Sequence, residues 1–501
     1  MRALLAAAWP LALLVTLSSP TPALAASPVE PASASTSASA CPSRGTVVTP
    51  KGQRGEDIIA AVRRAGDGGT VLLSGAYTVD STIRLRDGST LCSNSGATLT
   101  WTDLDEPGPM ISALRASGTT IKNLILDGRG IIIKGSGHVI DSNLIRRIAI
   151  HSTLDKRWGE RHGVMVADNG EGIVIQNNVF SQIADTGIMA YGLNKSNIAG
   201  NEFQNVSEGI HLWTVSNTTV HHNTGSGYSA MAIEVQGENL PGLVVEYNRC
   251  KGWQRAFEKG AYAMSVVAGR NAIVRYNTIE GSAIMGAGLE VGGEGPRVSA
   301  NTLIDTHIMI TDTPDAIIEG NQLTRGSIVK DINQAKRGTL LIQGNTITDA
   351  PALAIFAAPH WTGHEQVTIS GNRISKTINS PSDDFIGILA TRFEKKPMVI
   401  RGNQIVIRSP NGIKPKRATC IGNSGYQGDL SGMVVDDNTC DGGGVASFSD
   451  SNSLGGHIGV RYNGNKLINL VDTIRGESGG YQASRNELTR VSRDQARLAE
   501  H

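Results

Sequence analysis

The chain has 501 residues, with 46 Lys and Arg against 45 Asp and Glu, for a formal charge of +1. That balance excludes the basic excess of a nucleic-acid-binding protein, so no nucleic-acid partner is expected. With 40% hydrophobic and 18% charged residues it is neither a disordered chain nor a membrane bundle, and 59 glycines against 4% aromatics point to an all-β chain rich in tight turns.

Arg2, the apolar run Leu4–Leu17 and the small-residue site Ala23-Leu24-Ala25 predict a secretory signal over 1–25, hence an exported protein, periplasmic or extracellular. No later run holds ~18 uninterrupted apolar residues, so no membrane span is expected. Residues 26–44 begin ASPVEPASASTSASA and read as a Ser/Ala/Pro-rich linker. Of the five cysteines, Cys41–Cys92 and Cys420–Cys440 are candidate disulfides, which would leave Cys250 as a buried thiol. No Cys/His spacing suggests zinc.

A cap helix is predicted over Asp57–Ala65 (DIIAAVRRA), and Gly68–Tyr77 reads as a first strand and turn. From about residue 119 to 487 one phrase recurs: alternating apolar residues, an Asn, then an apolar pair. Fifteen such asparagines run from Asn123 and Asn143 through Asn178, Asn201, Asn223, Asn248 and onward to Asn438, Asn463 and Asn486. Their mean interval is about 26 residues, the sign of a solenoid. Each repeat holds three short period-two runs, so it makes three strands and no helix. The fold expected over 45–490 is therefore an all-β, parallel β-helix solenoid with an N-terminal cap helix, and 491–501 form a C-terminal cap or tail. The Asn column is expected to tolerate a left-handed turn and to form a side-chain ladder.

The phrase AVRRAGDGGTVLLSGAYTV (Ala61–Val79) and the Asn repeat resemble the pectate-lyase-like superfamily of right-handed parallel β-helix proteins, which holds polysaccharide lyases, epimerases and glycosidases. The resemblance covers about residues 45–490. It implies a substrate groove along the first strand of each coil. The DPHD stretch of mannuronan C5-epimerases and the NTD…DD…GHG…RIK set of polygalacturonases are absent, so no catalytic residue is carried over.

The first strands are Gly163–Ala167, Gly187–Tyr191, Gly209–Trp213, Ala232–Gln236, Ala263–Val267, Gly288–Gly292 and His307–Thr311. Alternation turns Ile188, Ile210, Ile233, Val235, Leu289 and Val291 inward. It turns Met165, Met189, Tyr191, His211, Trp213, Glu234, Gln236, Ser265 and Glu290 outward, in one stripe. Coils stack ~4.8 Å apart, which brings His211 within reach of Glu234 and sets Glu234 roughly 9–10 Å from Glu290. An inverting glycosidase separates its carboxylates by ~6.5–9.5 Å.

Two insertions precede first strands, His151–His162 and Cys250–Tyr262. They mix cations (Arg161, Arg255, Lys259) with aromatics (Trp158, Trp253, Tyr262), a mixture suited to an anionic, uronate-containing polysaccharide. The reading is a polysaccharide lyase acting by β-elimination, from which C5 epimerisation is not separable because both begin with the same proton abstraction. Arg255 or Lys259 would neutralise the carboxylate, with His211 or Tyr262 as base. Tyr191, Trp213, Gln236, Trp158, Arg161 and Trp253 would bind substrate. No cofactor is certain; calcium is the candidate, at Glu234 or at the acidic turns Asp383-Asp384 and Asp450–Asn452. Two alternatives stand beside it: a glycoside hydrolase or transglycosidase using Glu234 and Glu290, and a non-catalytic polysaccharide-binding or matrix protein. The sequence leaves the oligomeric state open.

Overall fold

The computed structural model describes residues 40–491 apart from 43–44, 104–107, 149–160, 254–261, 282–287, 312, 331–337, 358–363, 391–397, 411–412, 414–416, 424–431, 451–458 and 476–480. The expected signal (1–25), most of the linker and the C-terminal cap beyond Val491 lie outside the described residues. Among the described residues, forty-six strands join in one hydrogen-bonded network of parallel pairings, and the strands between the two ends bond to counterparts one coil before and one coil after. The chain is the expected parallel β-helix. Its coil has three faces. Face A includes Val164–Val166, Ile233–Gln236 and Leu289–Val291. Face B includes Val244–Glu246, Ile273–Arg275 and Arg297–Ser299. Face C follows the Asn turn and includes Leu144–Ile148 and Thr302–Ile304.

The cap helix spans Gly55–Ala65, two residues earlier than predicted. The Asp57 carboxylate accepts the Arg54 backbone N–H at 3.1 Å and starts the helix there. Its buried face, Ile58, Ala61, Val62 and Ala65, closes the first coil. Among the described residues no helix is long and apolar enough to cross a membrane.

The Asn column is a ladder. From Asn143 to Asn465 each side-chain amide donates to the next coil's side-chain carbonyl at 2.9–3.0 Å, and Asn486 is the last acceptor. Two members differ from expectation. Asn465, not Asn463, occupies the column. Asn123 stands one residue before it: the backbone of Leu124 donates to Asn143, while the Asn123 side chain donates to the Ser93 carbonyl. The turn expectation also changes. The left-handed residue is the one preceding the ladder Asn, as at Ser142 (φ 57°), Asn177 (55°), His222 (55°), Tyr247 (55°), Tyr276 (55°) and Ala300 (54°). The ladder Asn recurs for its buried amide, which satisfies backbone groups that water cannot reach.

Inward Ile, Val and Leu side chains stack into one continuous core. Under face A, Phe180 and Phe203 stack at 5.1 Å, and a Cβ on Gly163 or Gly187 would meet their rings at 2.6 Å. Glycine at these two strand starts thus lets the face A strands settle over the rings. Cys41–Cys92 and Cys420–Cys440 are paired, and Cys250 is free and buried. Burial pushes the Cys250 thiol up to about 12.

Candidate functional site

Face A carries the expected stripe in register. Met165 pairs with Met189, Met189 with His211, His211 with Glu234, Glu234 with Ser265 and Ser265 with Glu290. A parallel row one step on holds Tyr191, Trp213 and Gln236. The stripe is more enclosed than an open sheet face: Met189, Glu234 and Ser265 are buried, with Glu234 only 4% exposed. Trp213, at 43%, is the stripe's exposed ring.

Two long strands, Val179–Asn194 and Glu202–Ser216, run from face C into face A, and their register shifts at the corner between Ile183 and Thr186. The register that aligns Gly163, Gly187 and Gly209 also aligns His162, Thr186 and Glu208 just before them. That bend brings more carboxylates to the stripe. Glu208 accepts from Thr186 at 3.1 Å and contacts His211 Nδ1 at 3.1 Å; Glu234 lies 3.3 Å from the same nitrogen. Gln236 donates to the other Glu234 oxygen, and Ser265 donates to Glu290 at 2.6 Å. Arg161 reaches Asp185 at 3.1 Å, so it joins the site as the partner of a carboxylate.

The ring of His211 therefore has one end fixed and one end unpartnered among the described residues. Nδ1 faces two carboxylates, while Nε2 is buried without a hydrogen-bond partner among the described residues. Burial works against its charged form, but the Glu208 hydrogen bond and the charges of Glu234, Glu208 and Asp185 outweigh it and raise its pKa. Burial raises Glu234, helped by Glu208 and Glu290 and opposed by His211. His162, buried beside them with neither ring nitrogen bonded among the described residues, is held below the usual histidine value by burial. Tyr191 is raised by burial and by Asp185.

Glu208, His211 and Glu234 offer ligand atoms within 4.8 Å of one another. Two carboxylates with an imidazole form a mixed nitrogen and oxygen set. Calcium takes six to eight oxygens, so this cluster fits a transition ion better than the calcium expected from the sequence.

The sequence expectations divide accordingly. His211, Glu234, Glu290, Tyr191, Trp213, Gln236 and Arg161 meet on or beside face A. Trp253 does not serve as a sugar platform: its ring is buried against Tyr228, and its Nε1 donates to the Ala230 carbonyl at 2.9 Å. A ring only 6% exposed offers little surface to a ligand. Tyr262 is half-buried. Trp158, Arg255 and Lys259 lie outside the described residues. Asp185, Thr186, Glu208 and His162 were not expected. Their signal was present as acids and a histidine just ahead of the strand-opening glycine, in RHG, DTG and SEG on successive coils.

The family model described as the right handed beta helix region matches residues 129–303 and, in an overlapping placement, 209–377. No curated protein sequence matches the chain. Among solved structures, the catalytic unit of a GH87 α-1,3-glucanase from Streptomyces thermodiastaticus is similar at 13% identity and a TM-score of 0.39, over 90% of this chain and 72% of that one. The A-module of a mannuronan C-5 epimerase from Azotobacter vinelandii is similar at 13% identity and TM-score 0.29, over 88% and 96%. A PL6 family alginate lyase is similar at 10% identity and TM-score 0.34, over 89% and 100%.

Proposed function

We propose that this right-handed parallel β-helix protein is an exported enzyme that removes a proton from a uronate-containing polysaccharide bound along face A. One observation carries the reading: the buried His211 ring is held at Nδ1 by Glu208 and Glu234 and leaves Nε2 free. A carboxylate on one imidazole nitrogen fixes the tautomer that presents a lone pair on the other. Nε2 is then the base, and the sugar carbon next to the carboxylate is the acid it meets. Loss of that proton with expulsion of the glycosidic oxygen is β-elimination; return of a proton to the opposite face is epimerisation. Trp213 and Tyr191, one coil apart, supply adjacent aromatic surface for the sugar rings. The two disulfides accord with export to an oxidising compartment.

A second reading is hydrolysis by Glu234 and Glu290. It is favoured by the raised pKa of Glu234, to which Glu290 contributes across the intervening Ser265 coil. One incubation separates them. The mature protein is given pectate, alginate, glycosaminoglycans and neutral glycans, with and without divalent cations. Ultraviolet absorbance of unsaturated uronate and new reducing ends are read together. Both signals together support elimination. Reducing ends without absorbance transfer the chemistry to Glu234 and Glu290. Proton exchange from solvent into the polymer without cleavage identifies epimerisation. Silence in all three readouts refutes an enzyme on these substrates.

A further inference from the structure

Face B ends at the Asn turn, and the left-handed residue there points outward from every coil. On three successive coils it is aromatic. His222 stacks on Tyr247 with centroids 5.0 Å apart and planes at 18°, and Tyr247 stacks on Tyr276 at 4.9 Å and 13°. On the next coils the same position holds Ala300, Gly320, Gly344 and Gly371. The stack thus stops at Tyr276, which stays 46% exposed. A cavity of about 760 Å³ opens beside it and runs along the small residues to Gly371. Four coil steps make it ~19 Å long.

The lining mixes apolar surface with polar side chains, and its charges are spoken for. Arg275 donates to Glu246 at 2.6 Å, and its guanidinium lies 5.6 Å from the centre of the Tyr276 ring. Arg297 pairs with Glu319, which also accepts from Gln343 at 3.0 Å. Ser299 and Ser370 add hydroxyls. An aromatic end wall, hydroxyl and amide sides and internally balanced charge suit a ligand with a flat apolar face and many uncharged hydroxyls.

We propose that this trough is a second saccharide site, on a different face from His211, which holds an uncharged sugar chain with one ring stacked on Tyr276. It goes beyond the face A reading and does not depend on it. The carboxylate in its lining, Glu319, is tied to Arg297 and Gln343, so the role of the trough is to hold a polymer.

The test is affinity gel electrophoresis in xylan, hydroxyethyl cellulose and dextran, with pectate and alginate as charged controls. The proteins are the wild type, Tyr276→Ala, Tyr276→Phe, Ala300→Tyr and, for face A, Trp213→Ala. At least one uncharged glycan is expected to retard the wild type. Tyr276→Ala should weaken that retardation about tenfold, which is about 1.4 kcal/mol. Tyr276→Phe and Trp213→Ala should keep it. Ala300→Tyr extends the stack over the open ring without removing it and should block binding as well, so it decides the matter if Tyr276→Ala does not fold. No retardation by any uncharged glycan, retardation indifferent to both Tyr276→Ala and Ala300→Tyr, or equal loss in Trp213→Ala overturns the proposal. So does a dimer in sedimentation that Tyr276→Ala abolishes, because a second copy would then fill the trough. Turnover on face A is measured separately, so failure of one site is not read as failure of the other.

Discussion

Replacing Asn248 by leucine tests what holds the solenoid together. The side chain is 1% exposed. Its amide donates to Val220 O at 2.9 Å, Glu246 O at 3.1 Å and Asn277 Oδ1 at 3.0 Å. Its carbonyl accepts the Asn223 backbone N–H and side-chain amide, both at 3.0 Å. Leucine fills similar space but makes none of these bonds. Asn277 Oδ1 keeps the Asn248 backbone N–H, and the Asn223 amide keeps Ile198 O. The Asn223 backbone N–H loses the acceptor described for it. A buried donor left unpaired costs about 1–3 kcal/mol, and the other lost bonds contribute about 0.5–1.5 kcal/mol each. Because neighbouring ladder bonds are not independent, the expected loss is about 3–5 kcal/mol. Each coil touches only its neighbours, so the loss should be local. Hydrogen exchange read by mass spectrometry should show faster exchange in the coils of Asn223, Asn248 and Asn277, with the coils of Asn403 and Asn438 unchanged. Ala300→Gly, at the left-handed position before Asn301, is the control and should be neutral or stabilising, since φ is 54° there. A loss under about 1 kcal/mol, or one spread evenly along the chain, would refute the account of the ladder.

Further expectations concern the site and the thiol. His211→Asn should lower kcat by about 10²–10⁴-fold with little change in melting temperature, as measured by initial rates and thermal unfolding. Because His211 must be neutral to act as a base and its pKa is raised, kcat/KM should climb with pH through a limb above the ordinary histidine value. Glu208→Gln removes a charge that raises that pKa, so the limb should move toward acid; a move toward alkali in the pH–rate profile would count against the arrangement. Trp213→Ala should raise KM on a polymer substrate more than it lowers kcat, since the exposed ring offers a surface and no proton. Cys250, buried with its thiol pushed up to about 12, should resist a thiol reagent in the native protein and react fully once denaturant is added.

Some of this protein was written in local pattern. The coil, its three strands, the cap helix and the row order of face A follow from periodicity, because a period of two fixes which side a residue faces and the repeat length fixes which coil it joins. His211 beside Glu234 and Tyr191 beside Trp213 could therefore be placed from spacing alone. The finer offset of the Asn column could not. Whether the ladder residue or its predecessor takes the left-handed backbone depends on hydrogen bonds between coils, and Asn463 and Asn465 look alike in sequence. Trp253 turned inward because Tyr228 and the Ala230 carbonyl, on the preceding coil, offered a buried seat. Glu208 and Asp185 entered the site because the chain bends between faces C and A, and a bend sets the direction of a side chain without altering the pattern that predicts it. The trough beside Tyr276 is a matter of stacking: large residues on three coils and small ones on the next four carry no signal singly, and only superposition of the coils turns the step between them into a cavity.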